Sequence, residues 1–441
     1  MTQLELGSRE RIRRAARTGS AIARIYLGYK GLDLLDRGPL RRVVRVARRR
    51  WDHLSAAALG GAARDLGGVL LKAGQFLSTR ADVLPAAYVE RLARLQDRAR
   101  PQPWAAVQQV ITEELGAPPE ELFARVWRRP IASASLAQVH RATLRDRREV
   151  AVKVQRPEVR AALAADLATL RVAVRAIEGL EGSLGFALLL DQLESSLARE
   201  LDFALEAESA ERMAANFAGS PRVRIPAVVR EFTTARVLVS EYLPGIRITD
   251  HARLARAGVA GERVVEALLG AYAEQVFAHR FFHADPHPGN VLLLPDERGD
   301  FALGFVDFGI VAELPEHFRA QVLALASAVL TRNASGVAAA LGALGLSTRD
   351  PEARTLERIA ERLMRALGRS AEGGGAERIG ALGAELAELL RADPLASLPP
   401  HLFLLGRVLG MLAGVSTQLG VRVNIARALL PGLFPAPAEG R

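Results

Sequence analysis

Two short motifs near the middle of the chain constrain its fold and chemistry more than any other feature. The segment FHADPHPGN contains His283, Asp285 and Asn290, and Asp307 of VDFG follows 17 residues after the asparagine. Phosphoryl transfer needs a carboxylate near the attacking oxygen and oxygen ligands that hold Mg²⁺ against phosphates. The motifs therefore predict Asp285 as a catalytic carboxylate and Asn290 and Asp307 as metal ligands.

The order of these residues is typical of protein kinases, and an upstream lysine fits the same template. Lys153 lies in the β-like run VAVKV, the context in which kinases place the lysine that contacts the α- and β-phosphates. Of 59 basic residues, only Lys30, Lys72 and Lys153 are lysine. Because lysine is a compact point charge on a thin stem, we expect the chain to need Lys72 and Lys153 for their chemistry.

The charge of Lys153 requires an acidic partner, and the helical segment ELDFALEAES offers three. They are Glu200, Asp202 and Glu206, of which Asp202 and Glu206 are four residues apart and share a helix face. Spacing leaves open whether Glu200 or Glu206 pairs with Lys153.

The segment IASASLAQV, which precedes Lys153, fits the glycine-rich loop of kinases with every glycine replaced. Glycine lets a backbone adopt positive φ and approach phosphates closely, whereas alanine restricts it. We therefore expect this loop to hold nucleotide in a narrower set of conformations. Its predicted nucleotide-binding residues are Ala132, Ser133, Ala134, Ser135, Ala137 and Val139.

These motifs, with LLKAGQFLSTRADVLP and RLARLQD upstream, resemble the UbiB family of atypical kinases, also called AarF or ADCK-type. The KxGQ motif of that family matches Lys72, Gly74 and Gln75, and its ExD motif matches Glu200 and Asp202. The resemblance implies a helical extension that folds over the nucleotide cleft, with Lys72 facing Glu200 and Asp202.

The resemblance also assigns Glu206 as the partner of Lys153 and gives both residues a catalytic role. It identifies the segment from Glu241 to Gly245 as the hinge that meets adenine, with Glu241 and Leu243 as nucleotide contacts. The implied ligands are ATP and Mg²⁺.

Members of the UbiB family are linked to ubiquinone and other isoprenoid-lipid pathways, and are regarded as ATPases rather than as kinases of other proteins. Two features of this chain agree. Ala284 precedes the catalytic aspartate where kinases have the arginine that binds an activation-loop phosphate, and no APE-like sequence follows DFG. We therefore expect that the usual docking platform for a protein substrate is missing.

The pattern of helices and strands predicts an α+β chain with a two-lobed protein-kinase-like fold. A small antiparallel-sheet lobe and a helical lobe are expected, with an N-terminal helical extension and a helical C-terminal region. The segment GRSAEGGGAE near 369–377 predicts a flexible joint. The predicted divisions are 1–50 (basic membrane-proximal helices), 51–125 (KxGQ extension), 126–245 (small lobe), 246–345 (large lobe) and 346–441 (C-terminal region).

Positive charge is concentrated at the start of the chain. Residues 1–50 hold 14 basic residues against 4 acidic ones, which accounts for the whole formal charge of +10. Arginines there surround a stripe of apolar residues at helical spacing: Leu40, Val43, Val44, Ala47 and Trp51. Such a basic amphipathic helix predicts a reversible anchor on anionic lipid at the cytoplasmic face of a membrane. A solvated charged helix and a nucleic-acid arm are alternatives, but the balanced charge elsewhere argues against nucleic acid.

Composition sets further limits. The chain has no cysteine, so disulfides and thiolate metal sites are excluded, which suits a reducing cytosol. We predict no transmembrane helix, because the most apolar late segment carries Arg407 in its middle. The long arginine-rich N-terminus also lacks the compact apolar core of a signal peptide, so we do not expect secretion.

Three other functions remain open at this stage. His283, Asp285 and His287 could form the metal site of a hydrolase. Small-molecule phosphotransferases of the aminoglycoside and choline type carry a similar HxDxxxxN motif, although the KAGQ, LQD and ExD features argue against this class. A non-catalytic nucleotide-sensing scaffold is the third. The predicted partners are a nucleotide, an anionic or isoprenoid lipid, and enzymes of lipid biosynthesis, with no nucleic acid.

Overall fold

A computed structural model describes residues 8–36, 41–66, 70–74, 85–93, 100–181, 186–296, 299–350, 354–369, 389, 393, 395–421, 423 and 432–433. The chain divides into two compact units. Unit 1 comprises Met1–Ala214, Pro226–Leu243 and Asp307–Gly309. Unit 2 comprises Ala215–Ile225, Pro244–Val306 and Ile310–Arg441. One division falls between Leu243 and Pro244, inside the segment that the sequence predicts as the hinge.

Short strands account for the sheets of both units. In chain order they are β1 (Arg125–Val126), β2 (Ala132–Ser133), β3 (Ala137–Thr143), β4 (Glu149–Gln155), β5 (Val223–Arg224), β6 (Val237–Glu241), β7 (Ile246–Arg247), β8 (Phe281–His283), β9 (Val291–Pro295), β10 (Phe301–Phe305), β11 (Val311–Glu313), β12 (Ser347–Thr348) and β13 (Leu395–Ser397).

Helices make up most of the remaining described chain. They are α1 (Ser8–Leu35), α2 (Arg41–Leu66), α3 (70–74), α4 (Ala86–Ala93), α5 (Trp104–Leu115), α6 (Pro119–Leu122), α7 (Val159–Glu181), α8 (Phe186–Glu200), α9 (Phe203–Asn216), α10 (His251–Arg256), α11 (Gly261–Ala273), α12 (Phe318–Leu330), α13 (Ala334–Ala343), α14 (Thr355–Arg369) and α15 (Pro400–Gln418).

The sheet of unit 1 is antiparallel, in the order β1-β3-β4-β6, with β2 paired to β3. Successive side chains of a strand point to opposite faces, so Val150, Val152 and Val154 of β4 share one face. They are buried against the apolar side of α5. The same alternation places Lys153 on the opposite face. The sequence therefore builds the sheet from β-branched residues and leaves one lysine on its other side.

The N-terminal helices belong to unit 1. Helix α1 packs against α2 and α7. Arg14 of α1 donates hydrogen bonds to both carboxylate oxygens of Asp166 on α7, at 3.0 and 2.5 Å, and both residues are buried. Gly28 of α1 lies against the Trp51 ring of α2, where a Cβ would be 2.0 Å from the ring. The helices of the basic segment thus have an inner face within the protein.

Burial within the protein changes the interpretation of the apolar stripe that the sequence predicts as a membrane contact. Val44 is only 4% exposed, and Trp51 is half-buried. The prediction that Val44 faces a membrane is therefore wrong, because its side chain is buried within the protein, whereas Trp51 lies against Gly28 of α1 and stays partly exposed. Val43 and Val46 are exposed instead, at 64% and 69%. Leu40 lies outside the described residues.

Unit 2 holds two sheets around the predicted catalytic motifs. One has the order β5-β10-β9-β7, with β5 and β10 parallel and the other pairs antiparallel, and the second pairs β8 with β11. The segment around Asp285 connects β8 to β9. Strands β12 and β13 form a separate pair. The predicted joint near 369–377 falls almost wholly outside the described residues, where α14 ends at Arg369.

Helix α15 combines a membrane-like composition with packing inside unit 2. Among the described residues, it is the one helix long and apolar enough to cross a membrane by length and composition. It also packs against α11 and β11, with Val408, Leu412 and Val415 buried. The absence of a transmembrane helix stays a prediction.

Candidate active site

Lys153 lies between two carboxylates in unit 1. Its Nζ donates to both oxygens of Glu206, at 2.7 and 2.8 Å, and to Oδ1 of Asp307 at 3.1 Å. Its backbone is fixed in the sheet by pairing with Val139 of β3 and Leu238 of β6. Glu206 rather than Glu200 is thus the partner of Lys153, as the family resemblance implies.

Glu206 is held by helix α9. The helix begins beside Asp202, whose Oδ1 accepts a hydrogen bond from the Ala204 N–H at 3.0 Å, an interaction typical of helix starts. Phe203 and Ala207 bury the inner side of the helix against β3 and β6. Glu206 is consequently fixed at 5% exposure.

The charges of these three groups are strongly coupled. Burial alone would lower the pKa of Lys153, but the charges of Asp307 and Glu206 outweigh it and raise that pKa well above its usual range. Burial raises the pKa of Glu206, and repulsion from Asp307 adds to it against the attraction of Lys153, so that this pKa is about 7. The lysine therefore stays charged, while the cluster holds one carboxylate more than it has cations.

Asp307 has an unusual backbone conformation and an exposed side chain. Its φ is +67°, in the left-handed region that few non-glycine residues adopt. Its side chain is 48% exposed. A Cβ at Gly309 would lie 3.4 Å from Oδ1 of Asp307 and 3.7 Å from Oε2 of Glu206, so glycine keeps this side of the cluster open.

A second lysine–glutamate pair lies in the helices of unit 1. Lys72 of α3 donates to Oε1 of Glu200 at the end of α8. The adjacent Ala73 packs on α8, and Gly74, the last described residue of α3, is buried. Gln75 lies outside the described residues. The structure thus brings Lys72 to Glu200, as the resemblance implies, while the side chain of Asp202 caps α9.

The Ala-rich segment forms a hairpin between β2 and β3. Ala132 pairs with Val139, Ser133 pairs with Gln138, and the Ala134 N–H donates to the Ala137 carbonyl at 2.8 Å. The turn also contains Ser135, whose side chain is buried. Alanine at these positions is compatible with the ordinary strand and turn geometry of the hairpin.

Arg156 fastens this hairpin from the end of β4. Its Nε donates to the Ala134 carbonyl at 2.9 Å, and its Nη2 to Ser133 Oγ at 3.2 Å and to the Arg100 carbonyl at 2.6 Å. The hydroxyl of Ser133 is therefore tied to the protein. Among the described residues, Arg156 joins the loop to the segment that follows the LQD motif.

The predicted adenine hinge begins at the last strand of the unit 1 sheet. The Glu241 N–H donates to the Ala227 carbonyl at 2.8 Å, and Tyr242 N–H donates to the Glu149 carbonyl at 3.0 Å. Leu243 is buried. These backbone bonds fix the end of β6, and nucleotide contacts at Glu241 and Leu243 stay a prediction.

The Asp285 loop in unit 2 is held by a dense set of hydrogen bonds. Asn290 Nδ2 donates to Oδ2 and to the carbonyl of Asp285, both at 3.2 Å. The Asn290 carbonyl accepts from the Val306 N–H at 2.9 Å. Arg407 of α15 donates from Nη2 to Oδ1 of Asp285 at 2.8 Å. Both carboxylate oxygens of Asp285 thus accept a hydrogen bond. Asn290 makes its two bonds to Asp285 through Nδ2, so its amide oxygen Oδ1 takes no part in them.

The histidines of this loop have structural partners. Buried His283 accepts a hydrogen bond on Nδ1 from the Asp285 N–H (3.3 Å), and its Nε2 is 3.4 Å from the Val306 carbonyl. His287 Nδ1 accepts from the Gly289 N–H at 3.0 Å. Within the described ranges, no group of three or more His, Asp or Glu side chains could hold a metal ion. The hydrolase metal site therefore finds no support there.

Sequence reasoning missed two functional candidates, Arg407 and Arg156. Arg407 is 122 residues from Asp285 and was noted only for interrupting an apolar segment. That interruption was the available signal, since an arginine within an apolar helix needs a partner. Arg156 follows β4 among many arginines, and no sequence signal separates it from them.

The sheet with a strand lysine paired to a helix glutamate, the DFG aspartate with positive φ, and the Asp–Asn loop define a protein of the protein-kinase-like class, with a two-lobed fold. The chain belongs to the ABC1 atypical kinase-like family, whose domain model matches residues 94–341. The predicted family and fold class are thereby confirmed. Lys72 precedes the matched range.

The similar proteins include both uncharacterized and kinase-named relatives. An uncharacterized protein of Synechocystis is 34% identical over 95% of this chain and 73% of its own length. AarF domain-containing protein kinase 1 of Xenopus tropicalis is 37% identical over 60% of this chain and 50% of its own length. Protein ACTIVITY OF BC1 COMPLEX KINASE 8 of Arabidopsis thaliana is 37% identical over 64% of this chain and 37% of its own length. The chain thus spans half or less of the two kinase-named relatives.

A solved structure shares the fold. It is the complex of Rv3197 with erythromycin from Mycobacterium tuberculosis, which is 27% identical, has a TM-score of 0.58, and matches over 90% of this chain and 99% of that chain. The agreement extends over nearly the whole of both chains, beyond the range matched by the family model.

Proposed function

We propose that this chain binds Mg-ATP and hydrolyses it. The observation that carries the proposal is Lys153, held on a rigid strand between buried Glu206 and exposed Asp307. A fixed ammonium beside an exposed carboxylate is the arrangement that kinase-like proteins use for phosphates and the metal. The membership in a kinase-like family supports ATP and Mg²⁺ as the ligands in general terms.

The donors fit magnesium rather than a softer metal. Mg²⁺ prefers oxygen ligands and binds through one or two carboxylates with substrate phosphates. Asp307 offers an exposed carboxylate, and Asn290 keeps its amide oxygen available because its Nδ2 bonds Asp285. The bound metal would neutralise charge on the phosphates. On this proposal Lys153 orients the α- and β-phosphates, Glu206 orients Lys153, and Asp285 accepts the proton of the attacking oxygen.

Thermal-shift titration with Mg-ATP tests the assignment, because a ligand that binds the native state raises its melting temperature. We expect the wild-type protein to gain stability with Mg-ATP, and Lys153→Arg and Asp307→Asn to lose most of that gain. Asp300→Asn, at an exposed aspartate of unit 2, is the matched control and should retain it. An undiminished shift in both active-site variants would remove the assignment.

We further propose that the protein acts in ubiquinone or other isoprenoid-lipid metabolism at an anionic membrane surface. The support is the family resemblance and the concentration of all +10 of formal charge in residues 1–50. Exposed Val43, Val46 and Leu54 on α2 add apolar side chains to that basic surface. ATP turnover with and without anionic liposomes, followed by a search for a lipid product, tests this assignment. A lipid that neither changes turnover nor is changed itself would contradict it.

A small-molecule phosphotransferase is the second candidate. The observation in its favour is that the structural relative from Mycobacterium tuberculosis is described in complex with erythromycin, a small molecule. Incubation with a panel of aminoglycosides, macrolides and choline distinguishes the two functions. A phosphotransferase should phosphorylate one of these compounds, whereas an ATPase should release inorganic phosphate in every reaction.

A further inference from the structure

Arg407 is the sole residue of Lys, Arg, Asp or Glu type in the 19-residue helix α15. Its guanidinium lies on the predicted catalytic carboxylate, with Nη2 2.8 Å from Oδ1 of Asp285. Both side chains are mostly covered, at 32% and 26% exposure. An arginine set in an apolar helix and directed at one carboxylate is costly to leave unpaired. The pair is therefore a specific feature of unit 2.

The two carboxylate oxygens of Asp285 have different partners. Asn290 holds Oδ2 from the same loop, whereas Arg407 holds Oδ1 from a helix that begins more than a hundred residues later. The position before Asp285 is Ala284, which carries no charge and is fully buried. Among the described residues, the cation that the structure places on this carboxylate thus comes from α15.

We propose that Arg407 is a positioning residue for Asp285, a role that rests on the proposed ATP hydrolysis. In that reaction the oxygen of water forms a bond to the γ-phosphorus, the bond from that phosphorus to the bridging oxygen breaks, and ADP leaves with the electron pair. The proton of the water passes to Asp285 and then to solvent. Arg407 fixes the rotation of the carboxylate so that it faces the attacking oxygen.

The Arg407–Asp285 contact also bears on whether α15 packs in unit 2 or crosses a membrane. A helix that spans a bilayer cannot at the same time keep its central arginine on a catalytic loop, so the Arg407–Asp285 pair assigns α15 to unit 2 although its length and composition would suit a membrane. Helix α15 packs against α11 and β11, with 22% of its most apolar 18-residue window buried.

Steady-state ATP hydrolysis by the full-length protein tests the role. Arg407→Met should lower kcat by about tenfold or more, while KM for Mg-ATP changes by less than about twofold, because positioning acts in the transition state. Arg407→Lys keeps a cation near Asp285 and should recover part of the rate. Arg263→Met removes an exposed Arg–Asp pair of the same unit, with Nη2 2.7 Å from Asp300, and should have the wild-type rate.

A double-mutant comparison shows whether Arg407 acts through Asp285. In an Asp285→Asn background, Arg407→Met should cause no further loss, because interacting residues are not additive. Equal loss in both backgrounds, or a wild-type kcat in Arg407→Met, overturns the proposal.

If Asp285→Asn loses turnover and Arg407→Met does not, the proposed function stands and this role falls. Absence of turnover in the wild-type protein overturns both. Should the methionine variant fail to fold, the lysine variant decides: a kcat below wild type with KM changed by less than about twofold supports the positioning role, and a wild-type kcat overturns it.

Discussion

Two lysine–glutamate pairs among the described residues of unit 1 have different surroundings. Lys153 lies on β4 within an antiparallel sheet and contacts two carboxylates, Glu206 and Asp307. Lys72 lies on the short helix α3 and contacts Glu200 at the end of another helix. The first pair is fixed by strand pairing on both sides, whereas the second depends on how helices pack.

This difference separates two chemical roles. A lysine between two carboxyl groups has more acidic partners than cations, which suits a site that receives a metal ion together with phosphates. The Lys72–Glu200 pair joins the short helix α3 to the end of α8, and it suits an interaction that holds one helix against another. The chain uses lysine at both places although it uses arginine almost everywhere else.

The largest expected effect comes from exchanging each lysine for arginine. Lys153→Arg should reduce ATP hydrolysis by about a hundredfold or more, because the broad guanidinium cannot occupy the narrow space between Glu206 and Asp307 and still leave room for phosphate. Lys72→Arg should reduce it by less than about tenfold, since a fork still pairs with Glu200. Initial rates at saturating Mg-ATP measure both. Equal losses in the two variants would show that the pairs do not differ in role.

The pKa of Glu206 gives the next effect and sharpens the description of the Lys153 cluster. The pKa is about 7 in the folded protein against 4.5 ordinarily, so folding favours the protonated carboxyl. The stabilising contribution is complete below pH 4.5 and is lost as pH rises toward 7, with a total of about 3 kcal/mol at most. Glu206→Gln should remove this decline in the free energy of unfolding.

Urea unfolding at a series of pH values between 4.5 and 8 measures the slope. Glu211→Gln, on the same helix, is a control of opposite sign, because hydrogen bonds from Arg230 lower the pKa of Glu211. The stabilisation due to Glu211 is present at higher pH and is lost as pH falls, so its substitution should leave the Glu206 decline in place. A wild-type slope in Glu206→Gln would contradict the assignment.

A smaller effect is expected at the loop beside Lys153. Ala134→Gly restores backbone freedom at a position whose carbonyl accepts from Arg156. We expect a severalfold change in the ratio of ADP to ATP affinity, or phosphate incorporation into the protein itself. Arg156→Met releases the same loop from outside and should change that ratio in the same direction. Unchanged affinities and no phosphate incorporation in both variants would contradict the view that the loop is restrained.

The sequence predicted those parts of the site that depend on short-range patterns. The strand of Lys153 is such a local feature, and the antiparallel sheet of unit 1 agrees with it. The choice of Glu206 over Glu200 came from family resemblance, because spacing alone allows both.

Contacts between distant segments could not be predicted. Arg407 meets Asp285 across 122 residues, and Arg14 meets Asp166 across 152. Helical periodicity identified an apolar stripe on α2 but could not tell whether protein or lipid covers it. Val44 is covered by protein, whereas Val43 and Val46 are exposed. Periodicity reports which residues share a face, and tertiary packing decides what the face meets.

The last prediction concerns the helical side of the comparison, where a membrane contact of the N-terminal helices would add a partner on the side of unit 1 that holds Lys72. Deleting residues 1–50 would be a poor test. It removes Arg14 and leaves the carboxylate of Asp166 buried without its partner, at a cost of about 3–5 kcal/mol in stability. Substitution of exposed residues avoids this loss.

Val43→Ser with Val46→Ser should weaken binding to anionic vesicles by about tenfold, because two exposed apolar side chains no longer enter the headgroup boundary. Val172→Ser with Leu180→Ser on α7, equally exposed but outside the arginine-rich segment, is the matched control and should bind as the wild type does. Cosedimentation at rising salt separates the charge contribution, since exposed charges are screened over about 8 Å at physiological ionic strength. If both double variants bind like wild type, α2 is not the membrane contact. If the control weakens instead, the contact lies along α7, the helix to which Arg14 is paired.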